Sequence, residues 1–212
     1  MNSFFQGSTL FISARSPFAR RVRIALHENR VEFHERVFDV FQPNPELWKA
    51  NPLARVPTLV MPNGHVLIDS SLILQAFYEN SGSPFMPKDT AKLYEVYRWS
   101  AIALGVCEKT VEYYLETLRP QQNQDPELFA EIEGIFLRSL AAAETGMARS
   151  ESGYLVENAG EPSQADFDWG TALAYLKLRY PLGWQEKFPA LVKYLDRLNT
   201  RPSFKKTAPP QA

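Results

Sequence analysis

Residues Ser13-Ala14-Arg15-Ser16-Pro17-Phe18-Ala19-Arg20-Arg21-Val22-Arg23-Ile24-Ala25-Leu26 decide how this chain is read. Immediately upstream, Thr9-Leu10-Phe11-Ile12 is a short apolar run suited to a buried strand. Pro17 suits a first helical position, where its missing N–H costs nothing. Ser16 before it is a natural N-cap. Phe18, Val22, Ala25 and Leu26 follow at helical spacing. A strand therefore ends, the chain turns, and a helix begins with a hydroxyl at its mouth. The unpaired N–H groups and positive dipole end of such a helix favour an anion, and the hydroxyl can donate to it. A thiolate or a phosphate fits this description.

Working outward, Glu32–Phe38 alternates as a strand and Pro43–Asn51 allows one or two helical turns. Val56-Pro57-Thr58-Leu59-Val60-Met61 reads as a strand with proline at its first position, where proline is tolerated. Asn63-Gly64 is a two-residue hairpin signal, and His65–Ile68 is the returning strand. Asp69-Ser70-Ser71 caps a helix carrying Leu72, Ile73, Ala76 and Phe77. Two strands joined by a helix predict a parallel pair with a right-handed crossover, and the hairpin adds antiparallel strands. Residues 1–81 thus form a small mixed sheet with helices packed on it.

Gly82, Pro84 and Pro87 mark 82–89 as a linker. Residues 90–212 then read as all-helical. Leu93, Tyr97, Leu104, Cys107, Val111 and Tyr114 set one long helix over about 90–118. Asp125-Pro126 opens a second, with Leu128, Ile132, Ile135, Phe136 and Ala143 inward. Residues 150–162 read as a loop. Ser163-Gln164-Ala165-Asp166 has the pattern of a capping box, with Asp in place of the usual Glu, and opens a helix to about Tyr180 that carries few charges and is expected to be buried. Pro189 starts a last helix, which Arg201-Pro202 ends.

The net charge of −1 gives no electrostatic case for nucleic acid or an anionic membrane surface. No apolar run approaches a membrane span, and the opening Met1-Asn2-Ser3-Phe4-Phe5 lacks the pattern of a signal peptide. One cysteine, Cys107, excludes an internal disulfide and points to a reducing, cytoplasmic compartment. The three histidines are scattered, so no metal site is expected.

A small αβ domain followed by an all-helical one, with these motifs in this order, resembles the cytosolic glutathione S-transferase superfamily. Its serine-type bacterial, zeta and tau members are the nearest groups. The segments that carry the resemblance are Ser16-Pro17-Phe18 with Arg21–Leu26, Asn51–Leu59, Asp69–Ile73 and Ser163–Asp166, and the tail Arg201-Pro202-Ser203-Phe204 is similar as well. The resemblance implies a thioredoxin-like N-terminal domain that binds glutathione, and a homodimer in which the N-terminal domain of one subunit meets the helical domain of the other.

Glutathione is an anionic tripeptide whose free thiol, with a pKa of about 8.5, is mostly protonated at neutral pH. The thiolate is the nucleophile, and a hydroxyl at a helix N-terminus can supply it. Ser16 is the candidate donor. No Tyr precedes Tyr78 and no Cys precedes Cys107, so the family's other donor types are absent here. Ser13 is a second nearby hydroxyl, and a plain N-cap would also account for Ser16.

The resemblance further implies that Val56-Pro57 is a cis-proline turn leaving the Val56 N–H and C=O to pair with the cysteinyl part of glutathione. It assigns Ser70 to the γ-glutamyl carboxylate and Asp69, where the family often has Glu, to its ammonium. Arg55 is then in reach of the glycyl carboxylate. Tyr97, Trp99 and Ala101 lie on the helix expected to face the cleft, with Tyr97 and Ala101 as candidate contacts to a hydrophobic, electrophilic second substrate. Cys107 reads as core. The function implied is a glutathione transferase. The alternatives are an isomerase, dehalogenase or peroxidase using the same thiolate, or a non-catalytic binding or regulatory protein that keeps the fold.

Overall fold

A computed structural model of the chain describes residues 5–180 and 183–210. Residues 1–4, where a leader was sought, lie outside the described residues. The chain divides into two compact units, one running to Ser83 and regaining the segment from Pro202, the other spanning Pro84–Arg201.

In the first unit, β1 (Ser8–Ile12) leads through Ser16 into α1 (Pro17–Glu28), then β2 (Phe33–Val37) and the short α2 (Pro45–Ala50). The hairpin β3 (Thr58–Val60) and β4 (Val66–Ile68) follows, and α3 (Ser70–Ser81) closes the unit. Strand order is β2-β1-β3-β4, with β1–β2 parallel and the other pairs antiparallel. This is the thioredoxin-like arrangement expected. Alternation along β1 divides its side chains between two faces. Leu10 and Ile12 pack with Val22, Ala25, Leu26, Leu59, Ile73 and Phe77 beneath α1 and α3. Phe11 packs with Phe38 and Leu47 on the other side. The third strand is shorter than expected, because the chain joins the ladder only at Thr58, after the proline turn.

The second unit holds α4 (Thr90–Thr117), a 3-10 turn at Gln121–Asn123, α5 (Pro126–Ala148), α6 (Gln164–Arg179), α7 (Trp184–Lys187) and α8 (Pro189–Asn199). The helix at α6 is buried over its first ten residues, Gln164 to Leu173, as its few charges imply, and its Trp169 meets Trp99 of α4 edge-to-face at 6.1 Å. The α4 periodicity is as read but its phase is not. The buried stripe runs through Val96, Trp99, Ala103, Val106, Cys107, Thr110 and Tyr113, while Tyr97 is exposed. Apolar side chains occur on more than one face of α4, so only the packing against α6 selects which is inward.

Two further expectations are corrected. The loop at 150–162 contains a small antiparallel pair, β5 (Glu157–Asn158) and β6 (Glu161–Pro162), too short for alternation to reveal. The C-terminal segment does not stay with the helical unit assigned to 90–212. It forms α9 (Pro202–Lys206), which packs on α1. Arg20 explains this: it donates to Thr207 Oγ1 and to the Phe204 carbonyl, and its guanidinium lies 5.3 Å from the centre of the buried Phe204 ring. Part of the linker is also not free chain. Pro84 O accepts from Asn158, and Phe85 sits edge-to-face on Phe167 within the second unit.

Candidate functional site

Ser16 sits at the N-cap of α1 with extended backbone, and its Oγ accepts from the Ala19 N–H at 3.2 Å. Its own N–H donates to the Ser13 carbonyl, which holds the turn. Among the described residues nothing accepts the Ser16 hydroxyl proton, and the Phe18 N–H is also without a partner. A half-exposed hydroxyl with its proton available thus stands at the positive end of a twelve-residue helix.

The Val56–Pro57 peptide is cis. Pro57 is buried, Val56 half-buried and Arg55 exposed. The loop is braced from inside by Asn51. This almost fully buried amide donates to the Arg55 carbonyl and to Thr58 Oγ1, and accepts from the Leu53 N–H. Thr58 Oγ1 donates in turn to the Arg55 carbonyl. With Arg55's carbonyl taken inward, the Val56 N–H and C=O have no partner among the described residues. A free donor and acceptor on one extended residue are what a single rung of a sheet requires.

Asp69 adopts φ 49°, ψ 155°, a conformation that costs an L-residue about 1–3 kcal/mol and that concentrates at ligand-holding positions. Its Oδ1 caps α3 by accepting from Ser71 N–H at 2.7 Å and Leu72 N–H at 3.2 Å. The Ser70 N–H is left without a partner among the described residues. Ser70 itself is only 5% exposed, and its Oγ accepts from Arg21 Nη1 at 3.1 Å. The first unit therefore brings Ser16, Val56, Asp69 and Ser70 each to a helix start or open loop with unspent donors or acceptors. Arg55 shares the braced loop with its guanidinium in solvent.

Two residues of this region were not singled out from the sequence, Asn51 and Arg21. Asn51 reads there as half of an Asn-Pro turn, and nothing local marks it as an internal brace. For Arg21 a signal did exist: on the helix it falls between Ile24 and Ala25, both fully buried, and a charge among such neighbours is uncommon.

In the second unit, Tyr97 (55% exposed) and Ala101 lie one turn apart on an exposed stretch of α4, and Trp99 is core. Cys107 is buried and forms no disulfide. Among the described residues no group of three or more His, Cys, Asp or Glu side chains is placed to hold a metal ion, and no helix is long and apolar enough to cross a membrane.

Comparisons with known proteins agree with this fold. Residues 10–85 match a family model for the glutathione S-transferase N-terminal domain, and residues 126–197 one for the C-terminal domain. An uncharacterized GST-like protein of Escherichia coli K12, YibF, is 31% identical over 207 residues, covering 94% of this chain and 98% of its own. A glutathione S-transferase of Methylobacterium radiotolerans, crystallised with glutathione sulfonate, superposes with a TM-score of 0.90 at 27% identity over 98% of this chain and 96% of its own. One from Methylobacillus flagellatus with glutathione bound gives 0.89 at 30% identity, over 96% of this chain and all of its own.

Proposed function

Because the chain belongs to the glutathione S-transferase superfamily, we propose that it binds glutathione and uses Ser16 to hold the thiol as thiolate for attack on an electrophilic carbon. The observation that carries this reading is the unclaimed Ser16 hydroxyl proton at the mouth of α1. Donation from it to the sulfur, reinforced by the helix dipole, favours the charged form and lowers the thiol pKa.

The remaining polar groups match the rest of the tripeptide. Val56 offers its free N–H and C=O to the cysteinyl unit. Ser70 offers O–H and N–H to the γ-glutamyl carboxylate, and Asp69, whose second oxygen is not used in capping, takes the ammonium. Arg55 reaches the glycyl carboxylate. Tyr97 and Ala101 contribute to an apolar surface for the second substrate.

Ser70→Ala should weaken glutathione binding at least tenfold, since a hydrogen bond to a charged group is worth about 1.5–3 kcal/mol. Calorimetry on wild type and variant measures this. Wild-type affinity in a protein carrying both Asp69→Ala and Ser70→Ala would place the γ-glutamyl group elsewhere. Turnover of a generic aromatic electrophile by the wild type separates a transferase from a glutathione-binding protein without chemistry.

A cytoplasmic homodimer completes the proposal. Exposed Phe41 and Leu53 in the first unit, and Tyr94 on α4, are apolar surface of the kind a second copy covers. Sedimentation at micromolar concentration is expected to give twice the subunit mass, and a monomer overturns it.

A further inference from the structure

Arg21 lies on α1 five residues past Ser16, yet its guanidinium acts on a different helix. It is 4% exposed, and its Nη1 donates to Ser70 Oγ at 3.1 Å and to Ser71 Oγ at 3.3 Å. A guanidinium keeps its charge in any protein setting, so the fold holds a permanent cation under the first turn of α3. We propose that Arg21 is the positioning residue for the anionic end of the ligand at α3, orienting the Ser70 hydroxyl and fixing the charge behind it. The inference rests on the glutathione reading above and deepens it.

The argument follows from donor counting. A serine hydroxyl has one proton and two lone pairs. Arg21 occupies a lone pair, so the proton cannot turn back towards the guanidinium and is directed to an outside acceptor. The Asp69 carboxylate takes the Ser71 and Leu72 N–H groups and leaves the Ser70 N–H unspent. The first residue of α3 therefore presents two donors, its N–H and its O–H, with a cation behind and a helix dipole aligned the same way. This set suits a carboxylate and repels an ammonium. It is consistent with the places proposed above for the two charges of the γ-glutamyl end, and adds Arg21 as the group behind Ser70.

The placement of Arg21 also links two subsites. Ser16 starts α1 and Arg21 stands about 7.5 Å further along its axis, at a rise of about 1.5 Å per residue. Because the same rigid helix carries the thiol's donor and the brace for Ser70, the separation between sulfur and carboxylate subsites is set by α1.

The test compares two ligands in three proteins. Calorimetry measures the affinity of glutathione and of its analogue with the γ-glutamyl α-carboxylate amidated, for wild type, Arg21→Lys and Arg21→Met. Wild type should prefer glutathione at least tenfold. Arg21→Met should reduce that preference below about threefold, and Arg21→Lys, which keeps charge but lacks the fork, should fall between. With a generic electrophile, both variants should raise KM for glutathione and leave kcat within about twofold, since Ser16 is untouched. If both ligands weaken equally and the preference persists, Arg21 is only structural and the inference is overturned. Arg21→Lys alone decides this should Arg21→Met not fold. A wild type that does not bind glutathione overturns the functional reading itself, which is a distinguishable result.

Discussion

Asp166→Ala should unfold the helical unit many degrees early. The Asp166 carboxylate is fully buried and accepts four hydrogen bonds: from Tyr194 O–H at 2.6 Å, Leu155 N–H at 2.7 Å, Ser163 N–H at 2.8 Å and Ser163 O–H at 3.0 Å. One side chain thus ties the start of α6 to α8 and to the segment before β5. Burial pushes its carboxyl above the usual range, and the donors pull the other way. Burial, and then the Asp166 charge beside it, holds the Tyr194 phenol well above its ordinary value.

Alanine leaves the buried Ser163 N–H, the half-buried Leu155 N–H and the Tyr194 phenol without this acceptor. At about 1–3 kcal/mol for each unsatisfied donor, the loss is on the order of 3–5 kcal/mol. That is a large share of a stability of about 5–15 kcal/mol. With roughly 2–4 °C per kcal/mol at this chain length, the midpoint should drop by about 6–20 °C. Asp166→Asn keeps one acceptor oxygen and should lose less. Calorimetric melting of the three proteins measures both steps, and an alanine variant melting within a degree or two of wild type would show that the box carries little load. Whatever variant remains folded should bind glutathione as wild type does, because the glutathione-binding residues proposed above lie in the first unit.

Ser16→Ala should separate chemistry from binding. Removing a hydrogen bond to a charged sulfur is worth about 1.5–3 kcal/mol, or about one to two pKa units of the bound thiol. The thiol of bound glutathione should therefore titrate nearer its free value of about 8.5. At pH 7 the thiolate fraction falls by roughly eight- to twenty-five-fold, and conjugation slows in proportion. The sign is set by the donor: its loss raises the pKa, so the rate recovers as pH rises and the thiolate forms unaided. Affinity should change little, since Val56, Asp69 and Ser70 are intact. Thiolate absorbance near 240 nm (roughly, as for any S⁻) titrated in both proteins, with turnover of one electrophile, is the measurement. A variant that is less stable but titrates and turns over like wild type makes Ser16 a cap only, and moves the role to Ser13 or a backbone N–H.

Legibility differed between local and distant features. Caps were visible because they depend on a few neighbouring residues: Ser16-Pro17, Asp69-Ser70, Asp125-Pro126 and Ser163–Asp166 all start helices where an oxygen side chain meets free N–H groups. The hairpin at Asn63-Gly64 and the two-sided split of β1 are equally local. The α4 phase was not local. Its sequence supports several inward faces, and contact with α6 chose the one through Trp99 and Cys107 while leaving Tyr97 in solvent.

For this chain, residue order alone determined the element sequence from β1 to α3, the break near Ser83 and the hydroxyl at the head of α1, since each follows from spacing, capping and turn chemistry within about ten residues. Tertiary structure alone decided that Arg21 reaches Ser70 across 49 positions, that Asn51 braces the Val56 loop from within, and that the tail from Pro202 returns to Arg20 of α1. Those contacts join segments whose partners no local rule can select. A buried guanidinium or amide must satisfy its donors with whatever acceptors the packed core brings near, and that neighbourhood exists only once the helices and sheet have docked.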